Sequence, residues 1–257
     1  MHLIKADREI KLMRAGGKRL AEVMEILEQK VKPGVSTLAI DQLAEKLILK
    51  SGSQPAFKGY GGPDHSFPAT ICASVNEEIV HGIPAENKIL QEGDIFKVDI
   101  GLIYQGYYAD MARTFPVGQT DKKAKRIIRV VKESFYRGLE QIKKGAWLSA
   151  YSRAVQDYAE SQGYAVVRNL TGHGIGRQLH EEPSIYNFYD KNNYQDLKLE
   201  AGMTLALEPM INEGSYHTVM GKDRWVFKTA DGKLSAHWEN TVLVTEKGTE
   251  ILTKTKK

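Results

Sequence analysis

Asp99 and Asp110 fall within one segment, Lys97-Val98-Asp99-Ile100-Gly101-Leu102-Ile103-Tyr104-Gln105-Gly106-Tyr107-Tyr108-Ala109-Asp110, that reads as a β-hairpin. Phe96, Val98, Ile100 and Leu102 recur at period two and share one face of the first strand, which leaves Asp99 on the other. A turn centred on Tyr104-Gln105 would set Asp110 directly opposite Asp99. Like charges at opposed positions destabilise a strand pair. A shared proton or a bridging cation removes the repulsion, so the hairpin reads as built to hold metal.

Three further donors lie in the second half of the chain. Asn169-Leu170-Thr171-Gly172-His173-Gly174-Ile175-Gly176 places a histidine among glycines that permit close approach of backbone to a ligand. Glu208 sits in the middle of an apolar strand, Thr204-Leu205-Ala206-Leu207-Glu208-Pro209-Met210-Ile211, and Glu239 enters a β-branched strand at Trp238-Glu239-Asn240-Thr241-Val242. Each has an ordinary reading: a surface or satisfied core histidine, an edge strand broken by Pro209, a solvent-facing glutamate. Together, two Asp, one His and two Glu suit two hard or borderline divalent ions sharing carboxylates, about 3.5–4 Å apart in two-metal hydrolases. The chemistry of such a set is hydrolytic.

The elements that must position these residues follow from periodicity and caps. Ile10, Met13, Leu20, Val23, Met24 and Leu27 predict an amphipathic helix over 7–27. Lys32-Pro33-Gly34 ends that unit, and Ser36 or Thr37 caps a second helix reaching Leu49. Tyr60-Gly61-Gly62-Pro63 is a loop, and strands cover 70–75 and 95–115. A third helix spans 122–142, Lys144-Gly145 breaks the chain again, and a fourth runs from Ser149 to Gln162. The order helix-helix-strands therefore occurs twice. This predicts one α+β domain over 1–257, made of two pseudo-symmetric halves (1–120 and 121–257) whose antiparallel strands join in a curved sheet covered by helices.

Composition narrows the setting. Of 257 residues, 42% are hydrophobic and 26% charged, which fits a soluble globular enzyme. The lack of a long apolar run excludes a membrane-spanning helix. The charged N-terminus does not resemble a signal peptide, and the single Cys72 fits a reducing compartment, so a cytoplasmic location is expected. Asn169-Leu170-Thr171 then matches a glycosylation acceptor by chance alone. The net charge of +4 gathers at Lys254, Lys256 and Lys257 and at Lys122, Lys123, Lys125, Arg126 and Arg129. The bland reading is a solvated helix face and a frayed tail; the sharper one is weak attraction to a polyanion such as ribosomal RNA. No motif for specific nucleic-acid binding accompanies these charges.

With these residues in place, nearly the whole chain resembles the type I methionine aminopeptidases, of the pita-bread fold. Val98-Asp99-Ile100-Gly101 and Tyr108-Ala109-Asp110-Met111-Ala112-Arg113-Thr114 look like that family's aspartate motifs, and Gly172-His173-Gly174-Ile175-Gly176 like its histidine motif. Leu207-Glu208-Pro209 and Trp238-Glu239-Asn240-Thr241 resemble its glutamate motifs, and Asn76-Glu77-Glu78-Ile79-Val80-His81-Gly82-Ile83-Pro84 is close to a family signature. The 35 residues from His173 to Glu208 leave no room for the insertion that marks type II members.

The resemblance implies two divalent ions (Co, Mn, Fe or Zn) held by Asp99, Asp110, His173, Glu208 and Glu239. It further implies a metal-bound hydroxide that removes the N-terminal methionine of nascent proteins when the second residue is small. Glu208 would shuttle the proton, His81 would bind substrate and act as an acid, and His180 would hydrogen-bond the scissile carbonyl. Tyr60, Phe67, Cys72 and Trp225 would wrap the methionine side chain, since aromatic and sulfur contacts suit a thioether. Phe67 replaces a tyrosine common in the family, the 61–66 loop is longer than usual, and His237 and Asn240 replace the Gln and His that usually flank the second glutamate. The implied partners are nascent N-termini, with a monomeric state and weak ribosome association. Rival readings are a proline-directed aminopeptidase, a non-catalytic binding module on the same scaffold, and a nucleic-acid binder.

Overall fold

The computed structural model describes residues 3–63, 65–191 and 196–255. Asp64 of the 61–66 loop and Lys256 and Lys257 of the basic tail lie outside the described residues. The helices are α1 (Asp7–Glu28), α2 (Thr37–Lys50), α3 (Lys122–Leu139) and α4 (Leu148–Ser161). The strands of the first half are β1 (Gln54–Pro55), β2 (Ile71–Val75), β3 (Glu78–Val80), β4 (Ile95–Tyr104) and β5 (Tyr107–Pro116). Those of the second are β6 (Ala165–Val166), β7 (Gly172–Gly174), β8 (Glu181–Ile185), β9 (Thr204–Leu207), β10 (Met210–Asn212), β11 (Thr218–Met220), β12 (Phe227–Thr229), β13 (Ser235–His237), β14 (Asn240–Thr245) and β15 (Gly248–Ile251).

The helices start where an acceptor is available for an otherwise unpaired amide. Ser36 Oγ accepts from the Ala39 N–H at 3.2 Å and Asp121 from the Ala124 N–H at 2.7 Å, while the Glu9 carboxylate takes the Ala6 N–H at 2.9 Å. Leu20, Val23, Met24 and Leu27 of α1 and Ile40, Ala44 and Ile48 of α2 pack on Ile71, Phe96, Val98, Ile100, Leu102 and Met111 of β2, β4 and β5. In the second half, Ile127, Val131 and Phe135 of α3 and Tyr151 and Val155 of α4 pack on Leu205, Leu207, Ile211 and Val242. Each half thus buries one face of its strands under two helices and leaves the other face for the site. The strands are antiparallel, in ladders of four, three, three and five.

The hairpin register differs from the one the sequence suggests. Tyr104 pairs with Tyr107, so the turn is Gln105-Gly106, with φ of 49° and 81°. Two positive φ angles in a two-residue turn match the strand twist, which makes this turn the better closure. The shift sets Asp99 opposite Ala112 and Asp110 opposite Gly101. The two aspartates stay on one face as diagonal neighbours, rather than being directly opposed.

The direct opposition of acids occurs elsewhere. The strand expected through Glu208 is broken there into β9 and β10, and Glu239 interrupts β13 and β14 in the same way. Leu207 faces Asn240 on one side of the break and Met210 faces His237 on the other, so Glu208 and Glu239 come opposite each other. Pro209 has no N–H to continue the ladder, and Trp238 and Glu239 donate theirs to the Pro209 and Ala112 carbonyls instead.

The first helix is seated through Gly17, where a Cβ would stand 2.4 Å from the Leu252 carbonyl oxygen and 2.7 Å from its carbon. Gly17→Ala is expected to destabilise the protein by about 1–3 kcal/mol, the usual range for overpacking. Urea unfolding would report it as a lower midpoint at unchanged slope; an unchanged midpoint would mean that the C-terminal strand end yields freely.

Candidate metal centre and its pocket

The site forms where the Asp99–Asp110 hairpin meets the 235–241 segment. Arg113 donates to the Glu239 carbonyl at 2.5 Å and to Asn240 Oδ1 at 2.8 Å. Thr114 Oγ1 donates to the His237 carbonyl and accepts the His237 N–H, and Thr241 Oγ1 does the same with the Asp110 backbone. The buried Lys97 ammonium reaches the Asn76 carbonyl at 2.7 Å and that of Ser235 at 2.8 Å. Glu208 is fixed from behind: Tyr151 donates to Asn187, whose side-chain amide donates to the Glu208 carbonyl.

These contacts crowd four carboxylates and one imidazole. Asp110, His173 and Glu239 each offer a donor atom within 4.8 Å of the other two. His173 Nδ1 lies 2.8 Å from the Gly174 carbonyl and so carries the proton, which leaves the Nε2 lone pair directed at Glu208 Oε1, 3.5 Å away. Asp99 Oδ1, Asp110 Oδ1 and Glu239 Oε1 are buried without a hydrogen-bond partner. Buried carboxylate oxygens without donors are costly. A divalent cation satisfies all of them, and the oxygen-rich set with one nitrogen suits a hard or borderline ion. The residues therefore fit a metal.

Titration reflects the crowding. Burial raises Asp99 to about 7, opposed by hydrogen bonds from Cys72 and Asp110. Asp110 is pushed well above the ordinary carboxylate range by burial and then by the charges of Asp99 and Glu208. Glu208 and Glu239 rise for the same reasons. The histidines move the other way: burial, with His180 adding, lowers His81 to about 4 and His173 to about 3. Burial also lowers His180.

One pocket is lined by all five candidate ligands, by His81 and His180, and by Tyr60, Phe67, Cys72 and Trp225. Phe57 and Leu179 also line it and carry no sequence signal; only the folding of their loops brings them there. Phe67 meets Trp225 edge-on at 5.2 Å, and His65 of the long loop stacks on the same indole at 4.7 Å. Cys72 pairs with Asp99 across β2 and β4, so the apolar pocket and the acid cluster share a wall. His81 holds a positive φ of 58°, a conformation uncommon outside glycine, and meets Trp225 and Phe227 in edge-to-face contacts at 6.4 and 6.0 Å. His180 lies edge-on to His173 at 4.3 Å, and its Nδ1 meets the Tyr60 hydroxyl. His237 is buried with Nε2 3.7 Å from Glu208 Oε2, behind the acid, and Asn240 is engaged by Arg113 and Thr253. A second groove leaves the site at His81, His173, His180 and Glu208 and runs past Val80, Leu170 and Met210.

The profile of metallopeptidase family M24 matches residues 11–246. A methionine aminopeptidase of Clostridium acetobutylicum is 47% identical over 98% of this chain and 99% of its own length. Methionine aminopeptidase 1 of Bacillus subtilis is 44% identical over 99% of this chain and 100% of its own. The crystal structure of a methionine aminopeptidase from Thermotoga maritima superposes with a TM-score of 0.93 at 42% identity, covering 98% of both chains.

The shifted groups set a pH dependence. A carboxyl whose folded pKa is raised binds a proton that the unfolded chain has lost, so stability falls as pH rises toward the folded value. Histidines whose folded pKa is depressed act oppositely, and only below their ordinary 6.5. The two sets oppose each other up to about pH 6.5; above it the buried Lys97, lowered to about 7 by burial, opposes the carboxyls but is outnumbered by Asp110, Glu208 and Glu239, all raised well above their ordinary range. Metal-free protein is expected to lose thermal stability as pH rises above about 6.5, and excess Zn²⁺ or Mn²⁺ to abolish that loss. Scanning calorimetry tests this; a flat metal-free profile would mean that the carboxylates are already ionised and solvated.

Proposed function

The chain belongs to metallopeptidase family M24, among its type I methionine aminopeptidases, and on that premise we propose that it removes the initiator methionine from nascent proteins whose second residue is small. The observation that carries this reading is the single pocket that joins an apolar wall of Phe57, Phe67, Cys72, Leu179 and Trp225 to the five metal donors and two histidines. The apolar chamber suits a thioether side chain, and an ion held by Asp99 and Asp110 at its wall would suit the free α-amine that only a chain terminus offers. The second groove carries the rest of the peptide away.

We assign Asp99, Asp110, His173, Glu208 and Glu239 as the ligands of two divalent ions, drawn from Co, Mn, Fe or Zn. When bound, such ions polarise the scissile carbonyl and lower the pKa of the attacking water. Glu208 accepts the proton of that water and delivers it to the leaving amine. His81 and His180, both lowered in pKa and neutral near pH 7, offer N–H groups to the oxygen that becomes negative. The 1–257 chain acts as one catalytic unit of two halves, monomeric and cytoplasmic, with weak ribosome attraction through its basic patches. Among the described residues no helix is long and apolar enough to cross a membrane.

Chelated protein is expected to release no methionine from Met-Ala-Ser and to recover on addition of a divalent ion, whereas Asp110→Ala does not recover. An Xaa-Pro peptide as sole substrate would instead indicate a proline-directed enzyme, and no release with any ion from folded protein would leave a binding module. His81→Ala is expected to cut turnover by about 10²–10³ at unchanged metal content, the usual cost of one donor to a developing oxyanion. Equal losses of metal and turnover would make His81 structural.

A further inference from the structure

Tyr60 does more than line the pocket. Its loop is fixed at both backbone groups: the Tyr60 N–H donates to the Phe57 carbonyl at 2.9 Å, and its carbonyl accepts the Phe67 N–H at 2.7 Å. Gly59 closes the loop with a bond to the Phe67 carbonyl at 2.8 Å. Gly61, at φ 103°, lies so close to Trp225 that a Cβ would stand 3.0 Å from the indole and 2.7 Å from the His65 carbonyl. Tyr60 is 42% exposed, yet its backbone is anchored, and from that anchor the hydroxyl reaches His180 Nδ1. The two rings meet edge-on, at 5.0 Å and 80°.

A neutral imidazole carries one N–H, and the partner of one ring nitrogen decides where it sits. Among the described residues the Tyr60 hydroxyl has no other hydrogen-bond partner, and a phenol O–H is a good donor. If it donates to Nδ1, the ring proton must lie on Nε2, the nitrogen left to face the substrate. His173, packed edge-on against the ring at 4.3 Å, limits its rotation. The opposite tautomer would direct a lone pair at the carbonyl oxygen and repel the charge that develops there.

We propose that Tyr60 is a positioning residue for the aminopeptidase reaction: its hydroxyl holds His180 in the Nε2–H tautomer, so that His180 donates to the scissile carbonyl. This rests on the function proposed above, but the tautomer itself is measurable without turnover. Tyr60→Phe removes only the hydroxyl and keeps the ring edge against His180.

In protein labelled with ¹⁵N at the imidazoles and loaded with zinc, which is diamagnetic, the His180 resonances (assigned with His180→Gln) are expected to show the Nε2–H form. In Tyr60→Phe that form should give way to a mixture or to Nδ1–H. On Met-Ala-Ser, kcat should fall about tenfold, as is usual when the partner of a functional histidine is lost. KM should stay within about twofold, since no ground-state contact is removed. An unchanged tautomer in Tyr60→Phe would overturn the proposal, as would a raised KM at constant kcat, which would make Tyr60 a pocket wall only. Unmodified enzyme that releases no methionine with any ion would defeat the functional reading, while the spectra would still decide whether Tyr60 sets the tautomer.

Discussion

Four carboxyl groups converge in a pocket that water barely reaches, and the rest of the structure answers to that repulsion. Two like charges about 4 Å apart oppose each other by about 4 kcal/mol at the effective dielectric near a protein surface. Burial adds a desolvation cost to each charge, and the result is a set of acids held far above their ordinary range. Among the described residues no side chain of opposite charge stands with them to offset this: Lys97 and Arg113 spend their donors on main-chain carbonyls and Asn240 behind the site. The compensation has to come from outside the chain. A polypeptide that keeps such a cluster gives up stability in the empty state for affinity toward divalent cations.

Holding the cluster together demands rigidity, and the two halves supply it by gripping each other with side chains where their strands do not pair. Thr114, Thr241, Arg113 and Lys97 bind main-chain groups of the facing segment, so the aspartates and Glu239 move as one body. The breaks at Glu208 and Glu239 belong to the same design. Directly opposed residues of an antiparallel pair share a face, so Glu208 and Glu239 open to the same cavity, and Pro209, with no N–H to donate, interrupts the ladder beside them. The helices serve this arrangement from a distance by burying the far face of the strands.

Much of this was legible beforehand. The four helices follow from apolar periodicity, with Ser36 as the cap of the second; the Asp121 cap of the third emerged only in the structure. The five candidate ligands stood out because Asp, His and Glu are anomalous in apolar or glycine-rich strands, and the structure brings all of them to one pocket. Register was not legible at the same level. Turns centred on Tyr104-Gln105 and on Gln105-Gly106 keep the same faces, so face alternation cannot distinguish them; the backbone preference of Gly106 for positive φ does. Phe57, Leu179 and the Tyr60–His180 contact were invisible because they depend on where loops land.

The sequence by itself determined the chemistry: which donors are present, in what order, and that their charges need a cation, since residue type and alternation depend only on neighbours along the chain. Only the tertiary structure decided how those donors meet. It placed Asp99 and Asp110 diagonally, set Glu208 opposite Glu239, and brought the Tyr60 hydroxyl to His180. Such placements come from packing between segments far apart in the chain, where small shifts in a turn or a break change which atoms touch, and no local pattern records them.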